Sequence, residues 1–219
     1  MSHGHCGPAL SASGLTMGPI APIPGAMSGT LPKATLRKIA LARRDAVDDA
    51  TREDFATRIA LEGVKIARSA IVKTVAAYWP MRGEPDTRGL LAALNYHEFQ
   101  PALPVVVGQG MPLIFRRWTP RDLLIEGPYG IMEPSSRLPE VLPDIVFVPL
   151  AAFDRRGHRI GFGAGYYDRT LQALRAAKPI LAIGVAFGVQ EVDSIPDDPH
   201  DERLDYVLTE TDFIACRSQ

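Results

Sequence analysis

Three alternating glycines mark the part of the chain that is best suited to bind an anion. Gly161, Gly163 and Gly165 follow Arg159 and precede the run Tyr166-Tyr167-Asp168-Arg169. Glycine lacks a Cβ atom, so successive backbone N–H groups in such a loop can point into one concave surface and enclose a phosphate. The sequence therefore predicts a phosphate-binding loop. An ordinary turn is the alternative, because glycines also serve plain turns.

The segments on either side of this loop favour the phosphate interpretation. An apolar run, Asp144-Ile-Val-Phe-Val-Pro-Leu-Ala, comes before it and predicts a buried strand. A helix is predicted over residues 166–177, and the partial positive charge at its first turn would face the loop. Strand, glycine loop and helix in this order form the arrangement that a phosphate site needs.

A second basic pair lies near the start of the first predicted helix. Lys33 and Arg37 are four residues apart, so their side chains share one helix face and could bind the same polyanion. Lysine supplies a compact charge and arginine a planar fork, so the two could divide the recognition of phosphate oxygens. The alternative is a solvated basic face.

Composition limits the classes of protein that fit the chain. With 219 residues, 46% apolar and 22% charged, it is typical of one globular domain. A net charge of −1 gives no indication of nucleic-acid binding. Two cysteines fit a reducing compartment, and no apolar run of about 18 residues predicts a membrane span. We expect a cytoplasmic monomer that acts on small molecules, without nucleic-acid or membrane partners.

The chain divides into an extension and one domain. Residues 1–30 are rich in Gly, Pro, Ala and Ser and predict a flexible N-terminal extension. Residues 31–219 predict a single α/β domain. Its first helix is expected from an N-cap at Thr30, with Pro32 in the first turn, to about Val47. A second helix is expected from about Thr51.

Short apolar runs alternate with helical patterns along the rest of the domain. Strands are predicted over 71–79, 102–107, 113–118, 145–150, 180–187 and 206–209, a helix capped by Thr87 over 87–97, and connecting loop over 120–142. This alternation predicts a mainly parallel sheet with helices on both faces, a three-layer sandwich. Ligands of such sheets bind at the carboxyl ends of strands, where Trp79–Glu84 and Arg159–Arg169 could converge.

Five sequence blocks together resemble the 5-formyltetrahydrofolate cyclo-ligase family, also called methenyltetrahydrofolate synthetases. The blocks are Lys33-Ala-Thr-Leu-Arg37, Trp79-Pro-Met-Arg-Gly-Glu-Pro-Asp-Thr87, Tyr129-Gly-Ile-Met-Glu-Pro134, the segment from Phe153 through Arg169, and His200-Asp-Glu-Arg-Leu-Asp205. The resemblance extends from Lys33 to Glu210. It implies ATP- and Mg²⁺-dependent conversion of 5-formyltetrahydrofolate to 5,10-methenyltetrahydrofolate, with phosphorylation of the formyl oxygen, ring closure by N10 and release of ADP and phosphate.

The resemblance also implies roles for individual residues. ATP would be bound by Lys33, Arg37, Arg159, Gly161, Phe162, Gly163, Ala164, Gly165, Tyr166 and Tyr167. The metal ligands would be Asp168 and Asp201. The folate substrate would contact Trp79, Glu84, Tyr129, Gly163, Gly165 and Tyr166, and the catalytic residues would be Glu84, Arg159 and Tyr166.

Each of these roles has a plainer alternative. Asp168 could be a charge that complements a helix dipole, Asp201 a solvated loop acid, and Glu84 a polar turn residue. Glu133 and Arg116–Arg117 are weaker candidates, since surface charges between strands are common. His200 could support a neighbouring metal ligand or be an exposed loop residue. Phe162 and Ala164 stand where many members of the family carry a cation or glycine. Cationic side-chain contacts to ATP are therefore absent from those two positions, and Lys33, Arg37 and Arg159 would have to suffice.

Two other functions remain open from the sequence. A protein of the same scaffold could bind nucleotide or folate without catalysis, although Glu84, Tyr129 and Asp168 argue against this. A phosphosugar or CoA-type enzyme on a similar scaffold is the other alternative, because a fold does not determine a function.

Overall fold

The computed structural model describes residues 31–216. The predicted extension over residues 1–30 and the Thr30 N-cap lie outside the described residues. Four α-helices are described: α1 Lys33–Asp45, α2 Asp49–Ser69, α3 Arg88–Tyr96 and α4 Tyr166–Ala177. The described strands are β1 Thr74–Ala76, β2 Gln100–Val105, β3 Ile114–Arg117, β4 Leu124–Glu126, β5 Met132–Pro134, β6 Glu140–Val141, β7 Ile145–Pro149, β8 Ala152–Phe153, β9 Arg159–Ile160, β10 Leu181–Val185, β11 Tyr206–Leu208 and β12 Phe213–Ala215.

Eight of these strands form one sheet in the order β12-β11-β10-β7-β1-β2-β3-β6. The five strands from β11 to β2 are mutually parallel, whereas β12, β3 and β6 pair antiparallel at the two edges. The chain proceeds from β1 to β2 on one side and from β7 to β10 and β11 on the other. The strand order therefore reverses between β1 and β7, which is where ligands of such sheets bind.

Alternating residues of the central strands build a separate core on each face of the sheet. Val75 and Ala77 pack with the buried residues of α2 and α3, whereas Ala76 lies on the opposite face with Leu171 and Leu174 of α4. This period of two is the side-chain period of a strand, and both faces are buried because both are covered by helices. The prediction of an α/β fold with a mainly parallel sheet and helices on both faces is confirmed.

Several predicted boundaries were wrong by a few residues. The first strand begins at Thr74 rather than Ile71, because Ile71 directly follows α2 with a φ of 54° and is 94% exposed. Helix α2 begins at Asp49 rather than near Thr51, because the side chain of Asp48 caps it by accepting a hydrogen bond from the Thr51 amide.

The predicted cap of α3 was also wrong. Thr87 does precede the helix, but its hydroxyl donates to the carbonyl oxygen of Tyr78 at 2.5 Å and makes no capping bond. The side chain of Asp86 instead accepts a hydrogen bond from the Arg88 amide at 2.9 Å. Thr87 therefore ties the start of α3 to the segment that follows β1.

The prediction of a connecting loop over residues 120–142 was wrong. Strands β4 and β5 form an antiparallel hairpin there, and β6 adds to the edge of the main sheet. The hairpin turns at Pro128–Gly130, where Tyr129 has a φ of 66°, and the Gly127 amide donates to the Ile131 carbonyl oxygen at 2.8 Å. The prolines and glycines limit the length of these strands without preventing their pairing.

A second short hairpin separates β7 from the glycine loop. Strands β8 and β9 pair antiparallel, so Arg159 belongs to a strand and the glycine loop begins directly after it. Leu36 and Ala40 of α1 pack with Ala152 and Ile160 of this hairpin. This contact places α1 beside the glycine loop. Within residues 31–216, no helix is long and apolar enough to cross a membrane.

Candidate active site

A cavity of about 540 Å³ lies at the carboxyl ends of β1, β2 and β7, beside the point where the strand order reverses. Tyr78 and Trp79 reach it from the end of β1, Val106 from β2 and Pro149 from β7. Every residue that the sequence predicts for the site lines this cavity: Lys33, Arg37, Trp79, Glu84, Tyr129, Arg159, Gly161, Phe162, Gly163, Ala164, Gly165, Tyr166, Tyr167, Asp168 and Asp201.

The glycine loop has a backbone shape that requires glycine at two positions. Gly163 has a φ of 104°, and Gly165, which immediately precedes α4, has a φ of 65°. Both angles are unfavourable for residues with a Cβ atom. Arginines hold the loop at each end: Arg37 Nε donates to the Gly161 carbonyl oxygen, and Arg169 Nη2 donates to that of Ala164, each at 2.7 Å.

Arg159 is the most deeply buried cation that lines the cavity, with only 6% of the residue exposed. Its Nη1 lies 2.9 Å from Asp168 Oδ1. Its Nε and Nη2 are buried and have no hydrogen-bond partner among the described residues. A buried guanidinium donor without an acceptor is costly. Both donor atoms are closed to solvent, so what Arg159 brings to the cavity is a buried positive charge beside Asp168.

The two predicted metal ligands lie near each other, and each is paired with a cation. Asp201 Oδ2 lies 2.5 Å from Lys33 Nζ, and Asp168 Oδ1 accepts a hydrogen bond from the Glu202 amide as well as from Arg159. Among residues 31–216, no group of three His, Cys, Asp or Glu side chains is arranged for a metal ion. Mg²⁺ commonly uses one or two carboxylates and takes its other oxygens from phosphates and water, so this donor set fits Mg²⁺ together with a bound polyphosphate.

Glu84 also lines the cavity, in a tight turn after β1. Its amide donates to the Met81 carbonyl oxygen, and its Oε2 accepts from the Met81 amide, both at 2.9 Å. Burial raises the pKa of the Glu84 carboxyl from 4.5 to about 7, against the opposing effects of the Met81 hydrogen bond and the nearby charges of Arg44 and Arg82. Glu84 is thus a turn residue and also a titratable group in the cavity wall.

Two arginines that sequence reasoning missed hold this turn in place. The buried Arg44 donates from Nη2 to the Arg82 carbonyl oxygen at 2.5 Å, and Arg52 donates from Nη1 to that of Gly83 at 3.0 Å. Both Arg82 and Gly83 have a positive φ, which the two anchoring bonds help to maintain. The sequence contains no signal for these contacts, because a basic residue near a helix end normally faces water.

Aromatic side chains line the mouth of the cavity. Tyr129, which is 63% exposed, extends from the turn of the β4–β5 hairpin and brings its hydroxyl within 3.4 Å of the Tyr166 hydroxyl. Trp79 packs edge to face against Trp118, with ring centroids 5.7 Å apart. An aromatic ring with one polar atom suits contact with a flat, partly polar heterocycle.

The cavity also includes residues that the sequence did not single out or ranked low. These are Tyr78, Met81, Arg82, Pro104, Val106, Leu113, Ile131, Glu133, Pro149 and Ile160. Most are apolar, and their contribution depends on which strands the fold brings together. Of the other weak candidates, Arg116 donates to the carbonyl oxygens of Ser136 and Leu138, and His200 is exposed outside the cavity.

The fold and the cavity together define an α/β protein with a glycine loop beside the strand reversal of its sheet. The profile of the 5-formyltetrahydrofolate cyclo-ligase family matches residues 30–210, so the chain belongs to that family. Membership confirms the resemblance seen in the sequence, identifies an enzyme and indicates cyclo-ligase activity.

Individual relatives agree with this assignment. The chain is 35% identical to the 5-formyltetrahydrofolate cyclo-ligase of Mycolicibacterium smegmatis over 190 residues, which cover 81% of this chain and 93% of that protein. It is 31% identical to the enzyme of the same name from Escherichia coli K12, over 76% of this chain and 94% of that protein. The solution structure of Aquifex aeolicus 5,10-methenyltetrahydrofolate synthetase superimposes with a TM-score of 0.71 at 31% identity, covering 85% of this chain and 94% of that one.

Proposed function

We propose that the protein catalyses the ATP- and Mg²⁺-dependent conversion of 5-formyltetrahydrofolate to 5,10-methenyltetrahydrofolate, with release of ADP and phosphate. One observation carries this proposal: the same cavity contains the glycine loop with Lys33, Arg37 and Arg159, and Glu84, a carboxylate whose pKa is raised to about 7. An anion-binding group and a titratable acid in one cavity suit phosphoryl transfer followed by attack of an amine.

The ATP phosphates would lie against the glycine loop. Lys33, Arg37 and Arg159 supply the positive charges on this side. Residues 161–167 supply backbone N–H groups, and the first turn of α4 adds its partial positive charge. Positioning two substrates in line and stabilising the charge of the transferred phosphoryl group account for most of the catalysis expected in such a reaction.

Phosphorylation overcomes the poor reactivity of a formamide. The bond from the γ-phosphorus to ADP breaks and a bond to the formyl oxygen forms, which weakens the amide resonance. N10 then attacks the formyl carbon, the N10 proton is lost, and the carbon–oxygen bond breaks as phosphate leaves. The five-membered ring of 5,10-methenyltetrahydrofolate is closed without a covalent bond to the protein.

Glu84 would act on the folate side of this reaction. A carboxylate there can orient N10 and stabilise the positive charge that N10 develops during attack. Because its pKa is about 7, Glu84 changes its charge near neutral pH. Arg159 and Tyr166 would complete the catalytic set at the phosphoryl group and beside the reacting folate.

The remaining site residues would bind the metal and the heterocycle. Asp168 and Asp201 would hold Mg²⁺, which when bound neutralises charge on the polyphosphate. Trp79, Tyr129 and Tyr166 would contact the folate rings. Gly163 and Gly165, also in the loop, leave space for the close approach of both substrates.

A direct assay tests the proposal. Formation of methenyltetrahydrofolate from 5-formyltetrahydrofolate is followed by its absorbance, with MgATP present, with ATP in excess chelator, and without ATP. We expect product only with MgATP, together with one ADP for each ring closed. ATP binding without folate-dependent release of ADP would instead identify a non-catalytic binding protein, and indifference to folate would favour the phosphosugar or CoA-type alternative.

A further inference from the structure

A second carboxylate, that of Glu133, lines the same cavity and has no role in the proposed phosphoryl transfer and ring closure. Glu133, on β5, is only 5% exposed, and its Oε1 accepts a hydrogen bond from the Val106 amide at 3.0 Å. Burial raises the pKa of this carboxyl. The apolar residues Val106 and Ile131 line the same cavity. Among residues 31–216, Glu133 forms no ion pair.

The hairpin is shaped to accommodate this carboxyl group. A Cβ atom at Gly127, on the neighbouring arm, would lie 2.4 Å from Glu133 Cδ and 2.5 Å from Oε2. Gly127 has a φ of −95°, which any residue can adopt, so glycine is required here for space and not for backbone conformation. The Val106 amide therefore binds the carboxylate on one side, and Gly127 leaves room for it on the other.

A buried carboxylate accepts hydrogen bonds and donates none, and its two oxygens match two adjacent N–H donors. The folate substrate has one such pair of donors, N3–H and the 2-amino group of its 2-amino-4-oxopyrimidine ring. The positions of the other groups agree with this pairing, since the phosphates are assigned to the glycine loop and N10 to Glu84. The pyrimidine end then remains for the apolar wall that contains Glu133.

We propose that Glu133 binds the 2-amino-4-oxopyrimidine edge of the folate substrate by accepting hydrogen bonds from N3–H and the 2-amino group. This inference rests on the proposed function and extends it to the residue that selects the pterin ring. The Val106 amide uses only one lone pair of Oε1, so both oxygens can still accept from a ligand. Glu133 is thus a specificity-determining residue with no part in the phosphoryl transfer.

The test compares 5-formyltetrahydrofolate with its 2-desamino-2-methyl analogue, which keeps N3–H but lacks the amino donor. The wild-type protein should use the analogue with a kcat/KM about 10- to 100-fold lower, the range expected for a lost hydrogen bond to a charged group. In Glu133→Gln, the backbone amide of Val106 should keep the side-chain oxygen of glutamine in the place of Oε1. The side-chain NH₂ group of glutamine then takes the place of Oε2 and faces the N–H donors of the substrate. The KM for 5-formyltetrahydrofolate should rise by about 10- to 100-fold, the KM for ATP should be unchanged, and the preference for the natural ring should disappear.

Two further variants separate recognition from stability. Glu126→Gln makes the same chemical change on an exposed position of the same hairpin, outside the cavity, and should behave as wild type. Gly127→Ala keeps Glu133 but displaces its carboxyl group, so it should reproduce the selective rise in the folate KM.

The possible outcomes separate this inference from the proposed function. If the wild-type protein forms methenyltetrahydrofolate but uses 5-formyltetrahydrofolate and the 2-desamino-2-methyl analogue equally well, Glu133 does not bind the pyrimidine. This outcome can be measured on the wild-type protein alone. Retained discrimination in Glu133→Gln, or equal loss of folate and ATP use, would equally overturn the assignment. Absence of any MgATP-dependent product from the wild type would overturn the proposed function together with this inference.

Discussion

Two parts of the cavity wall differ in whether their charged residues form ion pairs: the glycine-loop wall, and the wall that carries Glu84 and Glu133. On the glycine-loop wall, cations and acids are paired: Lys33 with Asp201 and Arg159 with Asp168. In the second part, Glu84 and Glu133 form no ion pair within residues 31–216, and burial raises the pKa of both. The first wall suits a ligand that is itself highly charged, and the second suits one that brings N–H donors.

The physical reason for this difference is the cost of desolvation. An acid beside a cation keeps its charge at modest cost, and an incoming phosphate or metal ion can take over either partner. A buried carboxylate without an ion-pair partner recovers only part of its lost hydration from one backbone amide, so a ligand that brings further donors can add strongly to its stabilisation. Substitutions of single residues can test the two parts of the cavity separately.

The largest effect should come from the acid near the reacting centre. Glu84→Gln keeps the size and a hydrogen-bond acceptor but removes the charge, so turnover should fall by about 100-fold or more, as expected for loss of electrostatic and acid–base catalysis. The Kd for MgATP, measured by calorimetry without folate, should remain close to that of wild type. Glu140→Gln, an exposed acid outside the cavity, is the control. Nearly normal turnover in Glu84→Gln would reduce Glu84 to a turn residue.

The same substitution should stabilise the protein in a pH-dependent manner. The folded-state pKa of about 7 exceeds the usual 4.5, so between these pH values the folded state binds more protons than the unfolded state. Relative to Glu84→Gln, the free energy of unfolding of the wild type should therefore fall by about 3 kcal/mol in total between about pH 4.5 and 7. Above pH 7 this difference between the two proteins should stay constant. Urea unfolding of both proteins at pH 4.5, 6 and 8 measures this difference. If the difference in unfolding free energy between the two proteins does not change with pH, Glu84 is ionised in the folded protein at all three pH values.

On the loop wall, Arg37→Ala and Arg159→Ala should each impair ATP use far more than folate use. Loss of one charge-assisted contact should raise the KM for ATP by about 10- to 100-fold. Arg43→Ala is the matched control, because Arg43 is exposed on the same helix as Arg37 and lies outside the cavity. Steady-state kinetics with each substrate varied in turn distinguish the two walls. Unchanged ATP kinetics in both variants would remove the phosphate assignment.

A smaller effect is expected at the metal ligands. Asp168→Asn keeps an oxygen that can accept from Arg159 and from the Glu202 amide but removes the negative charge. The Mg²⁺ concentration that gives half-maximal activity should rise by about tenfold, and excess Mg²⁺ should restore part of the rate. A Mg²⁺ titration at saturating ATP measures this shift. The wild-type Mg²⁺ dependence in this variant would leave Asp168 only as the ion-pair partner of Arg159 and a charge at the start of α4.

The sequence was most informative where local patterns decide the structure. The bounds of α4, Tyr166–Ala177, were predicted correctly because the helical pattern starts directly after the glycine loop. The shared face of Lys33 and Arg37 follows from helical spacing. The central strands were found because their runs are short, apolar and buried on both faces, although their predicted bounds differ from the observed ones by up to three residues.

Contacts between distant segments were decided only by the tertiary structure. The hydroxyl of Thr87 bonds to Tyr78 rather than capping α3, Arg44 anchors the turn that carries Glu84, and the β4–β5 hairpin forms in a segment predicted as loop. A local sequence window does not show which backbone carbonyl will face a side chain, or which strand will cover a short apolar run. Glu133 illustrates the limit: its sequence neighbours make it an ordinary surface acid, and only the packing of β5 beside β2, with Gly127 next to it, buries its carboxylate in the cavity.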